Sequence, residues 1–377
     1  MLEPSDAMLL EVVARELATL AARSSAGEGR PLGMAAELLR TIESGAARAA
    51  PAPDRGVDVA RLQTYLTDRG VIPRGAVLTP QRSALGYSKD TYLITVQPPE
   101  GAAYVVVVRR DLPAGPSRTT VVDEFPLLKA VHGAGLPAPE PLLVEADPAV
   151  LGRPFLLTRG APGEPDVTTA EADPARRRQA GVDLARFLAR LHRLPADDVD
   201  IRRVAPGASP RGELAAYFRE WRGFWEECGP ARFTAIPEAL KLMESSLPEL
   251  DRLAVVHSDA GFQNILVLEG RIQAVLDWEF SHLGEPEEDL AYARRSVEAL
   301  MPWEGFLDAY AAEGGPKISP ERLRAYEIWR GVRNATCCAL GLRAFESGLN
   351  ADLRLAYTGR VLLGSFVKDV EAQLQKA

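Results

Sequence analysis

Between Val255 and Phe280 the chain reads VVHSDAGFQNILVLEGRIQAVLDWEF. His257, Asp259, Asn264, Asp277 and Glu279 stand there between short runs of β-formers. An amide oxygen and a carboxylate held around one point suit a hard cation such as Mg²⁺, which takes carboxylates, phosphate oxygens and water. A loop carboxylate beside that point can accept the proton of an attacking hydroxyl. The chemistry suggested is phosphoryl transfer, with Asp259 as base and Asn264 and Asp277 as Mg²⁺ ligands. His257 is better suited to holding the loop through backbone hydrogen bonds. Taken singly, Asx residues in loops mostly cap turns. The joint pattern is far more specific: H-x-D-x4-N, then D-x-E beginning thirteen residues after the Asn.

These residues need a scaffold. NILVLEGRIQAVLD predicts a hairpin with Glu269-Gly270 as a two-residue turn. A tight turn sets Asn264 opposite Val275, and Asp277, two further on, points to the same face. Diagonal cross-strand neighbours lie roughly 7–8 Å apart at Cα. Upstream, TYLITV and AYVVVVR are β-rich runs joined by QPPEGA. A helix near 121–132 and the extended runs PLLVEA and RPFLLT follow. From about residue 164 the chain is mostly helical, with helices opening at Asp173-Pro174 and Ser319-Pro320 and a last one over 352–375. At the other end, residues 7–21 and the segment holding Met34, Leu38 and Ile42 predict two helices. An Ala/Pro-rich linker spans 47–56, and Asp58 caps a third helix.

The 377 residues are 46% hydrophobic and 25% charged, which leaves room for two or more packed units. A net charge of −8 disfavours a general nucleic-acid or anionic-membrane surface. No window approaches the roughly 18–20 apolar residues of a membrane helix. The N-terminus, acidic from the start, does not read as a signal peptide. Three cysteines, two of them adjacent, make no disulfide framework. These features predict a cytoplasmic protein.

HSDAGFQNILV and AVLDWE resemble the aminoglycoside-phosphotransferase-like kinases, relatives of protein kinases and choline kinases. DWEFSHLGEPEEDLAY is similar to one branch, which includes the phosphotransferase domains fused to acyl-CoA dehydrogenases in animals. The resemblance covers roughly residues 76–345. It implies an α+β, bilobal protein-kinase-like fold: a small β-rich N-lobe, a larger helical C-lobe and an N-terminal helical extension. The expected divisions are 1–56 for extension and linker, 57–160 for the N-lobe and 161–377 for the C-lobe. The implied reaction transfers the γ-phosphoryl of ATP or GTP, with Mg²⁺, to a hydroxyl of a small metabolite. The branch favours a hydroxyacyl-CoA. Aminoglycoside-type O-phosphorylation and a nucleotide-binding pseudokinase or scaffold are the alternatives. The chain shows no recognisable D-F-G followed by A-P-E, so a protein acceptor is not expected. Residues 1–56 could cover the cleft, pack on the small lobe or make a homodimer.

In such enzymes the Asp of His-x-Asp is the base, here Asp259, and Asn264 and Asp277 take the metal. Glu279 would help hold metal or loop. Asp289 resembles a residue that braces the catalytic loop; a plain helix N-terminal acid is an equal alternative. LGYSKDTY resembles the nucleotide-covering loop, with Gly86 and Ser88 at the phosphates. Arg109 stands where relatives use Lys or Arg to grip phosphate, Glu124 would pair with it, and Arg110 falls on the opposite face. Backbone groups from Thr158 to Ala161 would hold the base edge, and Leu266 belongs to the same nucleotide site.

The sequence also departs from the family pattern. Ser258 replaces the usual Gly of His-Gly-Asp, Leu85 precedes Gly86, and Arg159 replaces an acidic hinge residue. Pro126, two after Glu124, predicts a late or kinked helix and works against the Arg109–Glu124 pair. His132 and His192 read as packing residues, and His282 as either cleft-lining or structural. Tyr217 to Trp225 has the helical spacing of a core face. Arg330, Arg333 and Arg343 would either meet a CoA ester at the cleft mouth or form a solvated helix face.

Overall fold

The computed structural model describes residues 56–83, 88–165, 167, 171–350 and 352–376. The helices expected at 7–21 and 34–42, nearly all of the linker, and Gly86 lie outside the described residues.

Asp58 caps α1 (Val59–Asp68) by accepting from the N–H of Arg61. α1 buries Leu62 and Leu66 against an antiparallel sheet in the order β1-β2-β3-β5-β4. Its strands are β1 (Val77–Arg82), β2 (Lys89–Gln97), β3 (Tyr104–Asp111), β4 (Pro141–Glu145) and β5 (Phe155–Arg159). Val106 and Val108 of β3 point into this first core together with Ile94, Val96 and Phe155. Side chains alternate along a strand, so Arg109 and Arg110 leave by opposite faces. Arg110 is buried in a pair with Asp90 at 2.5 Å.

α2 (Val121–Gly133) packs on the Arg109 face of the sheet. Its first turn is closed by a capping box between Thr120 and Asp123. Contrary to the sequence expectation, the helix begins at Val121, and Pro126 sits inside it. The donor that Pro126 lacks would have served the carbonyl of Val122, which lies on the solvent side, 37% exposed. Water can take that carbonyl, so the helix tolerates the proline.

A second core joins α2 to the C-terminal helices through Val121, Leu127, Leu128 and Val131. Those helices are α3 (Pro174–Leu191), α4 (Pro210–Cys228), α5 (Ala235–Ser245), α6 (Pro286–Glu298), α7 (Trp303–Ala312) and α8 (Pro320–Glu346). α9 (Leu353–Tyr357), a π-helical stretch Thr358–Leu362 and α10 (Leu363–Leu374) complete the set. Asp173-Pro174 and Ser319-Pro320 open α3 and α8 as expected. α8 is the central mast, packed against α4, α6 and α10. Two small ladders lie at its side: β6 (Ala254–Val256) with β9 (His282–Gly284), and β7 (Ile265–Leu268) with β8 (Arg271–Val275). β9 was not foreseen, because three residues show no alternation to read. The architecture is the bilobal α+β fold expected from the resemblance. Among the described residues no helix is long and apolar enough to cross a membrane.

Candidate active site

The β7–β8 turn is tight. Glu269 and Gly270 both have positive φ, +50° and +77°, as a two-residue I′ turn requires. Leu268 pairs with Arg271 and Val267 with Ile272, but beyond them a bulge shifts the ladder. Leu266 then faces Ala274 and Ile265 faces Val275. Asn264 is therefore opposite Leu276, not Val275, and its carbonyl accepts from the Leu276 N–H at 2.7 Å. Asp277 follows in a left-handed conformation, φ +66°, which ends the strand.

Three groups fix the loop between β6 and β7. The carboxylate of Asp289 on α6 accepts from the N–H groups of His257 and Ser258 at 2.9 and 2.6 Å. His192 Nε2 lies 2.9 Å from the same carboxylate. Burial alone would raise the pKa of Asp289, but these hydrogen bonds, the one from His192 foremost, hold it below the usual range. His257 Nε2 bonds the Leu276 carbonyl at 2.9 Å, and its Nδ1 accepts from the Asp259 N–H at 3.2 Å. That division needs a neutral ring, and burial pushes its pKa down.

Asp259 receives two side-chain donors from opposite sides. Asn264 Nδ2 bonds its Oδ2 at 2.5 Å, and Arg333 Nη2 stands 3.3 Å from its Oδ1. Tyr292, whose ring lies 4.6 Å from the Arg333 guanidinium, stands beside the same group. Burial raises the Asp259 pKa and outweighs the opposing pull of Arg333 and Tyr292, which strengthens the carboxylate as a base. With Nδ2 committed, the amide oxygen of Asn264 is the atom left for a cation.

Arg109 bridges the two lobes. One nitrogen is 2.6 Å from Glu124 on α2 and the other 2.5 Å from Asp277. The pair that Pro126 worked against is made. Lys89 makes a second bridge, 3.2 Å from Asp111 and 3.7 Å from Glu279, with a further bond to the Thr119 carbonyl. Four carboxylates thus meet two cations, an excess of two negative charges when every carboxyl is ionised. Burial, and then the charge of Asp277, push the Glu279 carboxyl up to about 8. Glu124 Oε1 and Glu279 Oε2 are buried without a hydrogen-bond partner. A divalent cation fits this deficit. No group of three His, Cys, Asp or Glu among the described residues forms a ready metal cluster. Mg²⁺ does not need one, since it completes its shell with phosphate and water.

The nucleotide-side residues are spread along one edge of the cleft. Ser88 opens β2, and the covering loop before it is outside the described residues. Thr158 lies inside the sheet, in register with Val107 and Pro141. Gly160 gives its N–H to the Val105 carbonyl at 2.8 Å. Ala161 is the first hinge residue past the sheet. Glu164 then bridges to Val267, which brings the hinge segment against β7, where Leu266 is half-buried.

Arg330, Arg333 and Arg343 part company. Arg333 is 2% exposed and bonded to the catalytic loop, so it belongs neither to a CoA contact nor to a solvated face. Arg343 pairs with Glu227, and Arg330 is half-buried in a different concavity. Sequence reasoning missed Lys89, Tyr292 and the role of Arg333. A visible signal existed for Arg333: it shares a helical face with the buried aromatics Tyr326 and Trp329. His282 is buried between Ser258 Oγ and Glu288, at 3.2 Å from each. Ser-His-Glu is the order of a hydrolytic triad, but Ser258 is wholly buried, so no ester could reach it.

Beside Glu279 opens a small cleft of about 70 Å³, walled by Tyr217, Trp221 and Phe224 of α4 and by Phe280. Arg118 and Arg202 also line it, each about half exposed. The α4 aromatics are thus core residues with edges in the cleft.

Residues 79–326 match the pattern of the phosphotransferase enzyme family. Acyl-CoA dehydrogenase family member 11 of Gallus gallus is 32% identical over 230 residues, which cover 59% of this chain and 28% of that protein. The chain thus spans under a third of the length of that relative. Among solved structures, choline kinase from Streptococcus pneumoniae superposes with a TM-score of 0.57 at 16% identity, covering 82% of this chain and 99% of that one. An aminoglycoside phosphotransferase bound to ADP and hygromycin B gives 0.54 at 17% identity, covering 82% and 98%. With two thirds of its length inside the family pattern, the chain belongs to the phosphotransferase enzyme family.

Proposed function

We propose that this chain transfers the γ-phosphoryl group of ATP or GTP to a hydroxyl of a small metabolite, with Asp259 as base. The carrying observation is that Asn264 Nδ2 bonds Asp259 Oδ2 at 2.5 Å while Arg109, paired with Glu124, lies 2.5 Å from Asp277. Asp259 orients the acceptor hydroxyl and takes its proton as the new P–O bond forms. Asn264 Oδ1 and the Asp277 carboxylate would hold Mg²⁺, with Glu279 as the nearby supporting carboxylate. When bound, that ion neutralises charge on the β- and γ-phosphates. Arg109, fixed by Glu124, turns its free edge to phosphate. Ala161 and its neighbours meet the base edge, and Leu266 gives the base an apolar floor. Positioning and charge neutralisation supply most of the rate, because this reaction asks little else of the protein.

For the acceptor, a hydroxyacyl-CoA has the better support. The similarity to an acyl-CoA dehydrogenase relative points to acyl chemistry. Arginines at the rim and aromatic walls suit an anionic, partly apolar acceptor.

Thermal shift with ATP and GTP, with and without Mg²⁺, tests the reading. Wild type should show Mg²⁺-dependent stabilisation, weakened by Asp277→Ala and largely kept by Asp259→Ala. Phosphorylation of a hydroxyacyl-CoA panel should then vanish in Asp259→Ala. Nucleotide binding without any turnover would favour a pseudokinase instead.

A further inference from the structure

We propose that Arg333, with Tyr292, is the positioning pair for the base Asp259, a role that rests on the proposed reaction. Arg333 hangs from the middle of α8, on the face that carries Tyr326 and Trp329. Those two residues reach the segment after D-x-E, Tyr326 to Glu285 at 2.9 Å and Trp329 to Glu288 at 3.0 Å. Arg333 is the next step of this ladder and reaches the base itself. One nitrogen bonds the carbonyl of Ser258, and the other lies 3.3 Å from Asp259 Oδ1.

Three features argue for a fixed tool, not a packing accident. The guanidinium is 2% exposed and sandwiched between the rings of Phe280 and Tyr292, 4.9 and 4.6 Å from their centroids. Burying a cation this deeply costs several kcal/mol unless it is well paired, and the groups it meets are those of the catalytic loop. Second, Ser258 holds a left-handed conformation, φ +67°, that a serine adopts reluctantly. The bond from Arg333 to its carbonyl helps hold that turn, which aims the Asp259 side chain. Third, the Tyr292 ring presses on the guanidinium from α6, the helix that also supplies Asp289. The base is thereby held by α6, by α8 and by Asn264 of its own hairpin.

The test uses the full chain and two readouts. The first is single-turnover hydrolysis of ATP, with water as acceptor, beside the Kd for Mg-ATP. Arg333→Met should slow turnover about 100-fold, the scale expected when a reacting group is misplaced by an ångström. Arg333→Lys should recover part of the loss. Tyr292→Phe, which keeps the ring under Arg333, should slow turnover far less than Arg333→Met. In all three the Kd should stay within about twofold of wild type, since none of these residues faces the nucleotide. The second readout is hydrogen exchange. Peptides over residues 254–264 should exchange faster in Arg333→Met while those over α3 and α7 do not change. Unchanged turnover, unchanged exchange in the loop, or faster exchange across the whole C-lobe would overturn the proposal. If wild type shows no turnover that Asp259→Asn abolishes, the reaction reading fails, and the exchange result alone decides the role of Arg333.

Discussion

Lys89 shows what one buried charge does in this site. Its ammonium, 5% exposed, faces Asp111 and Glu279. Removing one partner of a buried pair leaves the other uncompensated, at a cost of about 3–5 kcal/mol. Lys89→Met should lower stability by that order in urea denaturation, and adding Glu279→Gln should restore part of it. A double-mutant sum equal to the two single effects would mean that the pair is not coupled. His257 sets a pH response of its own. Its folded pKa lies below the unfolded value, so the unfolded chain binds more protons as pH falls below about 6.5. Stability from this group is therefore present above that pH and is lost as pH falls toward the folded pKa. His257→Gln should start less stable at pH 7.5 but lose less on going to pH 5.5. Equal slopes in the two melting series would count against the neutral, doubly bonded ring.

At the scale of elements, the β7–β8 hairpin decides whether Asn264 and Asp277 can cooperate. Its turn was legible, because Glu269-Gly270 between apolar runs is strong turn chemistry. Its bulge was not, because Gln273 looks like any other strand residue and no glycine marks the extra position. Deleting Gln273 should make the ladder regular and still leave Asn264 opposite Leu276, because Leu266 already faces Ala274 beyond the bulge. Mg²⁺-dependent nucleotide stabilisation should therefore persist, as melting with and without Mg-ATP would reveal. In α2 the sequence misled in the other direction. Pro126 suggested a broken helix, yet the Thr120–Asp123 capping box nucleates it upstream and Val122 gives its carbonyl to solvent. Pro126→Ala should therefore stabilise the protein by about 1–2 kcal/mol, below the roughly 3 kcal/mol of an unaccommodated proline. Nucleotide affinity should not change, since the Arg109–Glu124 pair already exists. The residues proposed as base and metal ligands were readable because they cluster in one short segment. Lys89, Tyr292 and Arg333 were not, because their partners lie 190, 33 and 74 residues away.

Across the whole molecule, the sheet and the helical lobe are tied at the site itself. Arg109–Asp277 and Lys89–Glu279 both run from the sheet to the D-x-E segment. The first of these uses the carboxylate that a cation would need. In the proposed reaction, binding of Mg-nucleotide would exchange a guanidinium for a metal ion at Asp277 while Glu124 keeps its hold on Arg109. Asp277 would then have two jobs, one in each state. Asp277→Asn should lower the melting temperature of the nucleotide-free protein by a few degrees, because a partly shielded pair contributes about 1–2 kcal/mol. It should also enlarge the radius of gyration in small-angle scattering as the lobes loosen. Asp259→Asn should do neither, because Asp259 lies within the helical lobe and its partners are there too. If Asp277→Asn melts at the wild-type temperature and keeps the wild-type radius, the ion pair does not couple the lobes. The Arg109–Asp277 contact would then be incidental to closure, and nucleotide binding would require no exchange of partners.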